Sequence, residues 1–262
     1  VSGEHVLGVS KERLQPGEAM QGTSDQTWRD PFVLFSFIAG CTSTLGLTSG
    51  ILVLPQRQTG VVAKQAAELD LVSGGRLRLG IGLGRNYYEY EALGENFKNR
   101  GRRMEEQVEV LRRLWTEPLV TFEGRWHHLD RMGINPLPVQ RPIPIWFGSF
   151  VQQIVEPAVK RIGRLADGWL IAFPAGDELK AAVERMHGYA AEAGRDASSI
   201  GIDGSLRLTP DSTAQDIAAQ VAFWNELGAS HLRVAARAGQ NTLHQKIDDL
   251  VKLRSVLKDA GV

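Results

Sequence analysis

The stretch Leu79-Gly80-Ile81-Gly82-Leu83-Gly84-Arg85 ends an apolar strand in three alternating glycines. It does not match the dinucleotide-binding fingerprint, because Arg85 stands where that fingerprint needs its third glycine. Alternating glycines at the carboxyl end of a strand remove side chains where a flat ring or a phosphate must approach the backbone. The stretch therefore indicates a cofactor-binding face. The alternative is a barrel strand whose small residues serve packing.

On either side of this strand, short apolar runs alternate with helical stretches along the chain. This alternation is typical of an α/β fold with a parallel sheet. The predicted strands are 44–54, 76–82, 143–147, 168–173, 199–208 and 230–235, with 1–6 as the stub of a further one. The predicted helices with strong periodicity are 102–115, 178–193, 214–227 and 243–257. Helix ends are predicted at Gly94, Gly194, Gly228 and Gly261.

The chain length favours a barrel over an open doubly wound sheet. An eightfold barrel takes about 250 residues, and seven strand–helix units with one excursion occupy the 262 residues of this chain. The excursion, residues 117–142, contains a predicted hairpin with its turn at Glu123-Gly124, followed by a proline-rich connection. We predict a single (β/α)8 TIM barrel domain over residues 1–262, with the excursion lying over the barrel mouth.

Composition narrows the function classes. The chain has 30 Lys and Arg residues and 30 Asp and Glu residues, so no basic field favours nucleic acid or an anionic membrane. The most apolar run, 32–41, is shorter than the roughly 20 residues that span a bilayer, and the first residues lack the order of a signal peptide. A lone cysteine, Cys41, is expected to be buried in an apolar helix and offers neither a disulfide nor a zinc site. A metal-free cytoplasmic protein with a small-molecule partner is expected.

Residues 51–84 also resemble a known family. They read Ile-Leu-Val-Leu-Pro at 51–55, Ala-Lys-Gln-Ala-Ala-Glu-Leu-Asp at 63–70, Ser-Gly-Gly-Arg at 73–76 and Gly-Ile-Gly-Leu-Gly at 80–84. Further matches follow at 89–94, 100–103, 114–115, 122–125, 138–140, 144–146 and 166–169. This set closely resembles the luciferase-like flavin monooxygenases, nearest the branch that depends on coenzyme F420. The resemblance implies an eight-stranded (β/α) barrel with its cofactor at the carboxyl ends of the strands.

The resemblance also implies that His5 is the catalytic residue. In the family an acidic residue and a histidine at this place reach towards the flavin ring, and imidazole exchanges protons near neutral pH. The alternative is a solvent-exposed terminal histidine. Family members normally carry an extra strand–helix unit before the point that matches Val1. We therefore expect a gap in the sheet beside residues 1–6, and about 30 further N-terminal residues, the size of one such unit, in the natural protein.

The same resemblance implies the cofactor-binding residues. Gly50-Ile51 matches a strand bulge with a non-proline cis peptide that supports the flavin ring, while the Thr48 and Ser49 hydroxyls would bond a ligand or the neighbouring backbone. The turn at Gly148-Ser149, followed by a helix from Val151, would bind the phosphate through backbone N–H groups or be a plain strand–helix turn. The predicted cofactor-binding residues are Ser49, Gly50, Ile51, Gly82, Gly84, Gly148 and Ser149.

Other side chains receive weaker assignments. Further candidates to line the pocket are Arg85, Asn86, Tyr87 and Tyr90. Some deazaflavin enzymes carry a glutamate where Arg85 stands, so their acid chemistry does not transfer to this chain. His127 and His128 are predicted to point to opposite faces of a hairpin strand, which argues against a shared metal ion. Asp167 and Trp169 are interpreted as a strand-end cap and a packed ring.

Together these features predict an oxidoreductase. By resemblance, reduced FMN would activate oxygen to oxygenate a small organic substrate, or reduced F420 would exchange hydride with one, and a separate reductase would supply the reduced cofactor. The sequence does not distinguish FMN from F420. The alternative is a non-catalytic flavin-binding barrel. The resemblance also implies a homodimer, because the family usually pairs through the helices that correspond to 31–42 and 60–72. These two segments carry apolar residues on more than one face, as covered helices would.

Overall fold

The structure is a computed structural model that describes residues 1, 3–16, 22–148, 153–206 and 212–234, together with single or paired positions between 244 and 258. The chain divides into two compact units, Val1–Gly148 and Ser149–Val262. In each unit, parallel strands are connected by helices. The described positions between 244 and 258 are helical, in agreement with the predicted helix, and the rest of 243–257 and Gly261 lie outside the described residues.

The first unit contains a parallel sheet and a separate hairpin. Its strands are β1 (Leu47–Thr48), β2 (Leu52–Val53), β3 (Leu77–Gly82), β4 (Val120–Glu123), β5 (His128–Met132) and β6 (Ile145–Gly148). Its helices are α1 (Pro31–Cys41), α2 (Thr59–Ser73), α3 (Tyr87–Ala92) and α4 (Arg100–Thr116). Strands β1, β2 and β6 all pair in parallel with β3, which is the glycine-rich strand. The antiparallel pair β4–β5 is the predicted hairpin.

Local sequence sets the ends of these helices, and apolar side chains join them. At the start of α1, the Asp30 carboxylate accepts a backbone N–H of the first turn, and Pro31 fits there because that position needs no N–H donor. Helix α2 ends at Gly74, whose φ of +67° favours glycine. The fully buried Trp115 of α4 donates its indole N–H to the carbonyl of Ala63 on α2 at 3.0 Å. Helix α4 therefore packs directly on α2.

The second unit repeats the pattern with three parallel strands. They are β7 (Gly168–Leu170), β8 (Gly201–Leu206) and β9 (His231–Val234), with β8 paired to both of the others. The helices are α5 (Glu156–Leu165), α6 (Asp177–Glu192) and α7 (Ala214–Glu226). Trp169 and Trp224 are buried in its core, and the ring of Trp224 lies where Gly204 lacks a side chain. Gly194 and Gly228 follow α6 and α7 with positive φ, as predicted.

The prediction of a strand stub over 1–6 is wrong. The described residues of this segment form no strand. Instead, the buried Glu4 carboxylate accepts the backbone N–H of Val53 at 2.8 Å, the kind of donor that a carbonyl of an adjacent strand would otherwise satisfy. A side chain thus replaces the backbone ladder at this edge of β2. The predicted sheet gap and the additional N-terminal unit stay predictions.

Two further expectations change in detail. The strand predicted over 44–54 is two short strands, because three residues between β1 and β2 oppose only two of β3, as the paired registers Thr48–Arg78 and Leu52–Ile81 require. This is the bulge that the resemblance implies. Cys41 is exposed rather than buried, since the buried face of α1 carries Phe32, Phe35 and Ala39. Within the described part of the chain, every helix is too short or too polar to cross a lipid bilayer.

Candidate functional site

His5 and Glu89 form the centre of the candidate site. Glu89 lies on α3, just after the glycine-rich strand, and its side chain is almost fully buried. Its Oε2 accepts a hydrogen bond from His5 Nδ1 at 2.8 Å, and its Oε1 accepts the backbone N–H groups of Val6 at 2.5 Å and Leu7 at 3.1 Å. Burial works to raise the pKa of Glu89, but these hydrogen bonds outweigh it and hold the pKa below its ordinary value. Glu89 is therefore an anion that fixes the segment carrying His5.

The environment of the His5 ring sets its orientation. An ionised carboxylate only accepts hydrogen bonds, so Nδ1 of His5 carries the proton that faces Glu89. The Trp28 ring meets the imidazole edge-on, with centroids 4.8 Å apart, and Gly22, with φ +83°, lies so close that a Cβ there would overlap the ring. Among the described residues no group bonds Nε2, which leaves that atom for a bound molecule. The side chain is only 11% exposed, so the alternative of a solvent-exposed terminal histidine is wrong.

Glu4 ties the same segment to β2 through a buried ion cluster. Besides the Val53 N–H, its carboxylate accepts hydrogen bonds from Nε of Arg57 at 3.2 Å and from a terminal nitrogen of the same guanidinium. Arg57 also donates to Asp30 at 2.7 Å. Burial raises the pKa of Glu4 above its ordinary value, against the opposing effects of Arg57 and the Val53 N–H. The cluster fixes the residue next to His5 against the bulged strand.

The bulge places backbone and one aliphatic side chain beside this segment. The peptide bond between Gly50 and Ile51 is cis, as the resemblance implies, and a Cβ on Gly3 would lie 3.0 Å from the Gly50 carbonyl oxygen. A Cβ on Gly82 would lie 2.8 Å from Ile51 Cδ1, and one on Gly148 would overlap Ile51 Cγ2. Because Gly82 and Gly148 have no side chain, Ile51 can approach β3 and β6. Both glycines therefore serve the packing of Ile51. The Val1 side chain lies where a Cβ on Gly50 would stand, so Ile51 and Val1 form an apolar surface over the glycine backbone. An apolar surface of this kind suits a flat ring such as a flavin or a deazaflavin.

Two of the predicted cofactor-binding residues, Ser49 and Gly84, have structural roles. Ser49 is 1% exposed, and its hydroxyl donates to the Gly80 carbonyl at 2.8 Å and accepts the Gly80 N–H at 3.0 Å. This is the alternative in which the hydroxyl bonds neighbouring backbone. Gly84 has φ +62°, and a Cβ there would lie 2.7 Å from Val53 Cγ1, so this glycine serves a close approach. Any contact of these residues with a cofactor must therefore come from their backbone.

The predicted phosphate turn differs from the structure at its helix. Val151, where the helix is predicted to begin, lies outside the described residues, whereas the described residues 153–155 are not helical and α5 begins at Glu156. Pro157 explains this start, since proline is favoured in the first turn of a helix, where its missing N–H costs nothing. The carboxylate of Glu156 lies in that first turn and disfavours a bound anion. Ser149 lies outside the described residues, so its predicted role stays a prediction.

The four candidates that follow the glycine strand separate into two groups. Asn86 is buried, and its side chain caps α3. Tyr90 is fully buried and donates its hydroxyl to the Leu83 carbonyl at 2.5 Å. Tyr87 is 38% exposed, and Arg85 is half-buried. The Tyr87 ring packs against the rings of Tyr88 and Phe97, so Arg85 is the one of these four whose side chain has no partner among the described residues.

The predicted opposite orientation of His127 and His128 needs revision, because His127 precedes β5 rather than lying on it. The Glu106 carboxylate accepts a hydrogen bond from His127 Nδ1 at 2.8 Å, and His127 Nε2 bonds the Thr59 hydroxyl at 2.6 Å. His128 is exposed and bonds Glu123. His127 thus fastens the hairpin to α4 and α2. Among the described residues, no group of three potential ligands could hold a metal ion.

Sequence analysis missed Glu89 as the partner of His5 and Arg57 as the partner of Glu4. Glu89 stands in the matched motif 89–94, which was a usable signal, but it lies 84 positions from His5. Arg57 is 53 positions from Glu4. No local pattern links residues at such separations, so only the folded chain identifies the two pairs. Asp167 precedes β7, and Trp169 is a packed ring in the core, as interpreted from the sequence.

Comparisons with known proteins bear on this arrangement. A family model described as luciferase-like monooxygenase matches residues 14–261. An uncharacterized protein of Mycobacterium tuberculosis is 34% identical over 166 residues, which cover 63% of this chain and 56% of that protein. An F420-dependent glucose-6-phosphate dehydrogenase of Segniliparus rotundus is 28% identical over 176 residues, covering 65% of this chain and 51% of that enzyme. The chain thus spans about half the length of these curated relatives.

Solved structures give the same fold. The monooxygenase RslO1 from Streptomyces bottropensis superposes with a TM-score of 0.75 at 18% identity, covering 89% of this chain and 83% of that one. The coenzyme F420-dependent tetrahydromethanopterin reductase from Methanopyrus kandleri gives a TM-score of 0.67 at 17% identity, covering 86% of each chain. At such low identities the likeness concerns the fold alone. The fold class predicted from the sequence, a luciferase-like barrel, is confirmed as a partial (β/α)8 barrel.

Proposed function

Because the chain belongs to the luciferase-like monooxygenase family, we propose that it is an oxidoreductase that uses reduced FMN or coenzyme F420 to oxidise or oxygenate a small organic substrate. The observation that carries this proposal is the His5–Glu89 pair, held beside the cis Gly50–Ile51 peptide. When a buried carboxylate fixes Nδ1 of an imidazole, the ring is held in position and its Nε2 can exchange a proton. A structural histidine would not need its second nitrogen free.

The cofactor would be held by backbone rather than by charged side chains. Ile51, which fills the space left by Gly82 and Gly148, would contact a flat ring together with the cis peptide that joins it to Gly50. The cofactor supplies the redox chemistry when bound, either oxygen activation by reduced FMN or hydride exchange by F420. Both have a flat tricyclic ring, so this surface fits either. The relatives and neighbours include F420-dependent enzymes and monooxygenases, which supports each option.

The protein supplies positioning and proton transfer. Glu89 keeps Nδ1 of His5 protonated and the ring in place, so Nε2 exchanges a proton with the bound substrate. Trp28 covers the edge of the imidazole and limits the access of water to it. Glu4 and Arg57 hold the segment that carries His5 against β2. A separate reductase that supplies the reduced cofactor, and a cytoplasmic location, remain part of the proposal.

The experiment that tests this function is a titration of the apoprotein with FMN and with F420, each oxidised and reduced. Tight binding of one reduced cofactor, followed by its oxidation in the presence of oxygen or of an organic substrate, supports the proposal. His5→Gln should slow that turnover and leave cofactor binding intact, while His128→Gln, at an exposed position, should change neither. Failure to bind either cofactor would contradict the proposal. Binding without any turnover would favour the alternative of a non-catalytic flavin-binding barrel.

A homodimer through α1 and α2 is part of the same proposal. The two helices pack on each other and leave apolar side chains on their outer faces. Val33 and Phe37 on α1 are 73% and 72% exposed, and Val72 on α2 is 61% exposed. A second copy of this surface would cover them. Light scattering at micromolar concentration tests this, since a particle of 28.8 kDa would mean a monomer.

A further inference from the structure

Arg85 is a cation without a partner among the described residues, in the connection that leads to the helix of Glu89. It follows Gly84 in the connection between β3 and α3, and its side chain is half-buried. Within the ranges that the structure describes, it is the one arginine below full exposure that makes no hydrogen bond, ion pair or ring contact. Arg57 and Arg103, which are also withdrawn from solvent, both bind carboxylates.

The acidic groups of the site are already committed to other partners. Glu89 lies on α3, four positions after Arg85, and its two oxygens are occupied by His5 and by two backbone N–H groups. Glu4 is bound by Arg57 and by a backbone N–H. Neither carboxylate compensates the charge of Arg85. The site thus contains a cation whose counterion does not come from these groups.

A guanidinium without a partner lacks hydrogen-bond acceptors and a counterion. The group stays charged, presents five N–H donors in a planar fork and accepts nothing. Withdrawing it from water without a partner costs solvation free energy, which a bound anion restores. The fork matches the two oxygens of a carboxylate or a phosphate and binds them through paired hydrogen bonds.

The backbone on both sides of Arg85 is fixed. Gly84, in the left-handed region with φ +62°, packs against Val53. Asn86 is buried and caps α3 with its side chain. Arg85 is therefore placed by the fold in the connection that leads into α3, the helix that carries Glu89, while its guanidinium has no partner among the described residues.

We propose that Arg85 binds an anionic oxygen group, a carboxylate or a phosphate, of the substrate that exchanges a proton with His5. This inference rests on the proposed function and adds the substrate class, which is a small organic acid or a phosphorylated compound. The substrate's anion, rather than the cofactor's, is assigned because Arg85 lies in the short connection that leads into α3, which carries Glu89, the partner of His5. The substrate would thus be held by its charge while its reacting atom faces the imidazole.

Anion binding to four proteins tests this: wild type, Arg85→Gln, Arg85→Lys and the matched control Arg102→Gln, at an exposed position on α4. Calorimetric titrations with benzoate and with inorganic phosphate are run on the apoprotein and on protein saturated with FMN or F420. Arg85→Gln should weaken binding of at least one anion about tenfold or more, a loss of about 1.4 kcal/mol. Arg85→Lys should lie between this variant and wild type because lysine lacks the planar fork. Arg102→Gln should bind as wild type does.

A second set of titrations separates the two sources of the anion. FMN is compared with riboflavin, and F420 with its deazaflavin core that lacks the charged tail, on wild type and Arg85→Gln. The proposal requires the ratio of each pair of affinities to stay the same in both proteins. A selective loss for FMN or F420 would assign Arg85 to the cofactor's tail and overturn the proposal.

Other outcomes of the anion titrations also decide the matter. Equal affinity of wild type and Arg85→Gln for both anions, or no binding of either anion by wild type, would overturn the proposal. Wild-type protein that binds neither cofactor contradicts the proposed function instead, and the apoprotein titrations still decide whether Arg85 is an anion site. The two failures are therefore distinguishable.

Discussion

Glu89→Gln is the substitution that most directly tests how the site is built. The side chain is 1% exposed and accepts three hydrogen bonds, from His5, Val6 and Leu7. The amide keeps the shape of the carboxylate and one acceptor oxygen, but it replaces the other oxygen with a donor. The negative charge that fixes the imidazole is lost, and His5 must turn Nδ1 into an acceptor.

The stability change follows from those three bonds. A hydrogen bond to a charged group is worth about 1.5–3 kcal/mol and a neutral one about 1 kcal/mol. Two bonds become neutral and the third is rebuilt, while removal of a buried charge returns part of its desolvation cost. We expect a net loss of about 2 kcal/mol in the free energy of unfolding at neutral pH. The pKa of Glu89 is lowered in the folded protein, so its contribution is present above the ordinary value of 4.5 and is lost as pH falls through the folded pKa. The difference in the free energy of unfolding between wild type and Glu89→Gln should therefore become smaller in acid.

Three measurements check this reasoning. Urea denaturation at neutral and acidic pH gives the stability change, with Glu91→Gln, exposed on the same helix, as a matched control. Nitrogen NMR of the imidazole reports which nitrogen of His5 carries the proton. Turnover with the bound cofactor should fall about 100-fold or more, because positioned acid–base groups are worth about 10²–10⁴-fold in rate. Cofactor affinity should change by less than about threefold, or roughly 0.7 kcal/mol.

The reasoning is refuted if the His5 proton stays on Nδ1 in Glu89→Gln and turnover is unchanged. A stability loss no larger than that of Glu91→Gln would mean that the three hydrogen bonds do not hold the segment. A large stability loss with normal turnover would make Glu89 a structural residue only.

Three further substitutions test the surroundings of the site. Arg57→Met leaves the buried Glu4 without its counterion and should cost about 3 kcal/mol at neutral pH in urea denaturation. Because the pKa of Glu4 is raised, the cost should shrink as pH falls through that pKa and the carboxyl becomes neutral; a pH-independent loss would contradict this. Gly148→Ala forces a methyl group against Ile51 and should lower stability by about 1–3 kcal/mol and weaken cofactor binding, and unchanged thermal unfolding would count against it. His127→Ala should speed hydrogen exchange in β4 and β5 but not in β3, and uniform exchange would show that the hairpin needs no fastening.

Much of the fold could be predicted because its signals are local. The strand predicted over 76–82 and the helix predicted over 178–193 match β3 and α6 to within a residue. Hydrophobic periodicity and the glycines that end helices depend only on residues a few positions apart, so both can be read from the sequence. The cis peptide at Gly50-Ile51 was predicted from a resemblance that itself rests on contiguous motifs. The helix predicted from Val151 was placed less well, because the described residues 153–155 are not helical and α5 begins at Glu156, just before Pro157.

The candidate site required the tertiary structure, because its contacts join distant positions. His5 was identified as the histidine of interest, but its orientation depends on Glu89, 84 positions away. Ser49 was predicted to meet a ligand, yet the backbone of Gly80 on the neighbouring strand takes both of its hydrogen-bonding functions. The residues and their order thus determined the family, the fold class and the glycine surface. Only the tertiary structure decided which buried polar groups satisfy each other, because a buried polar group must be paired by whatever the fold brings within reach. It also decided which groups, such as Nε2 of His5 and the guanidinium of Arg85, have no partner among the described residues.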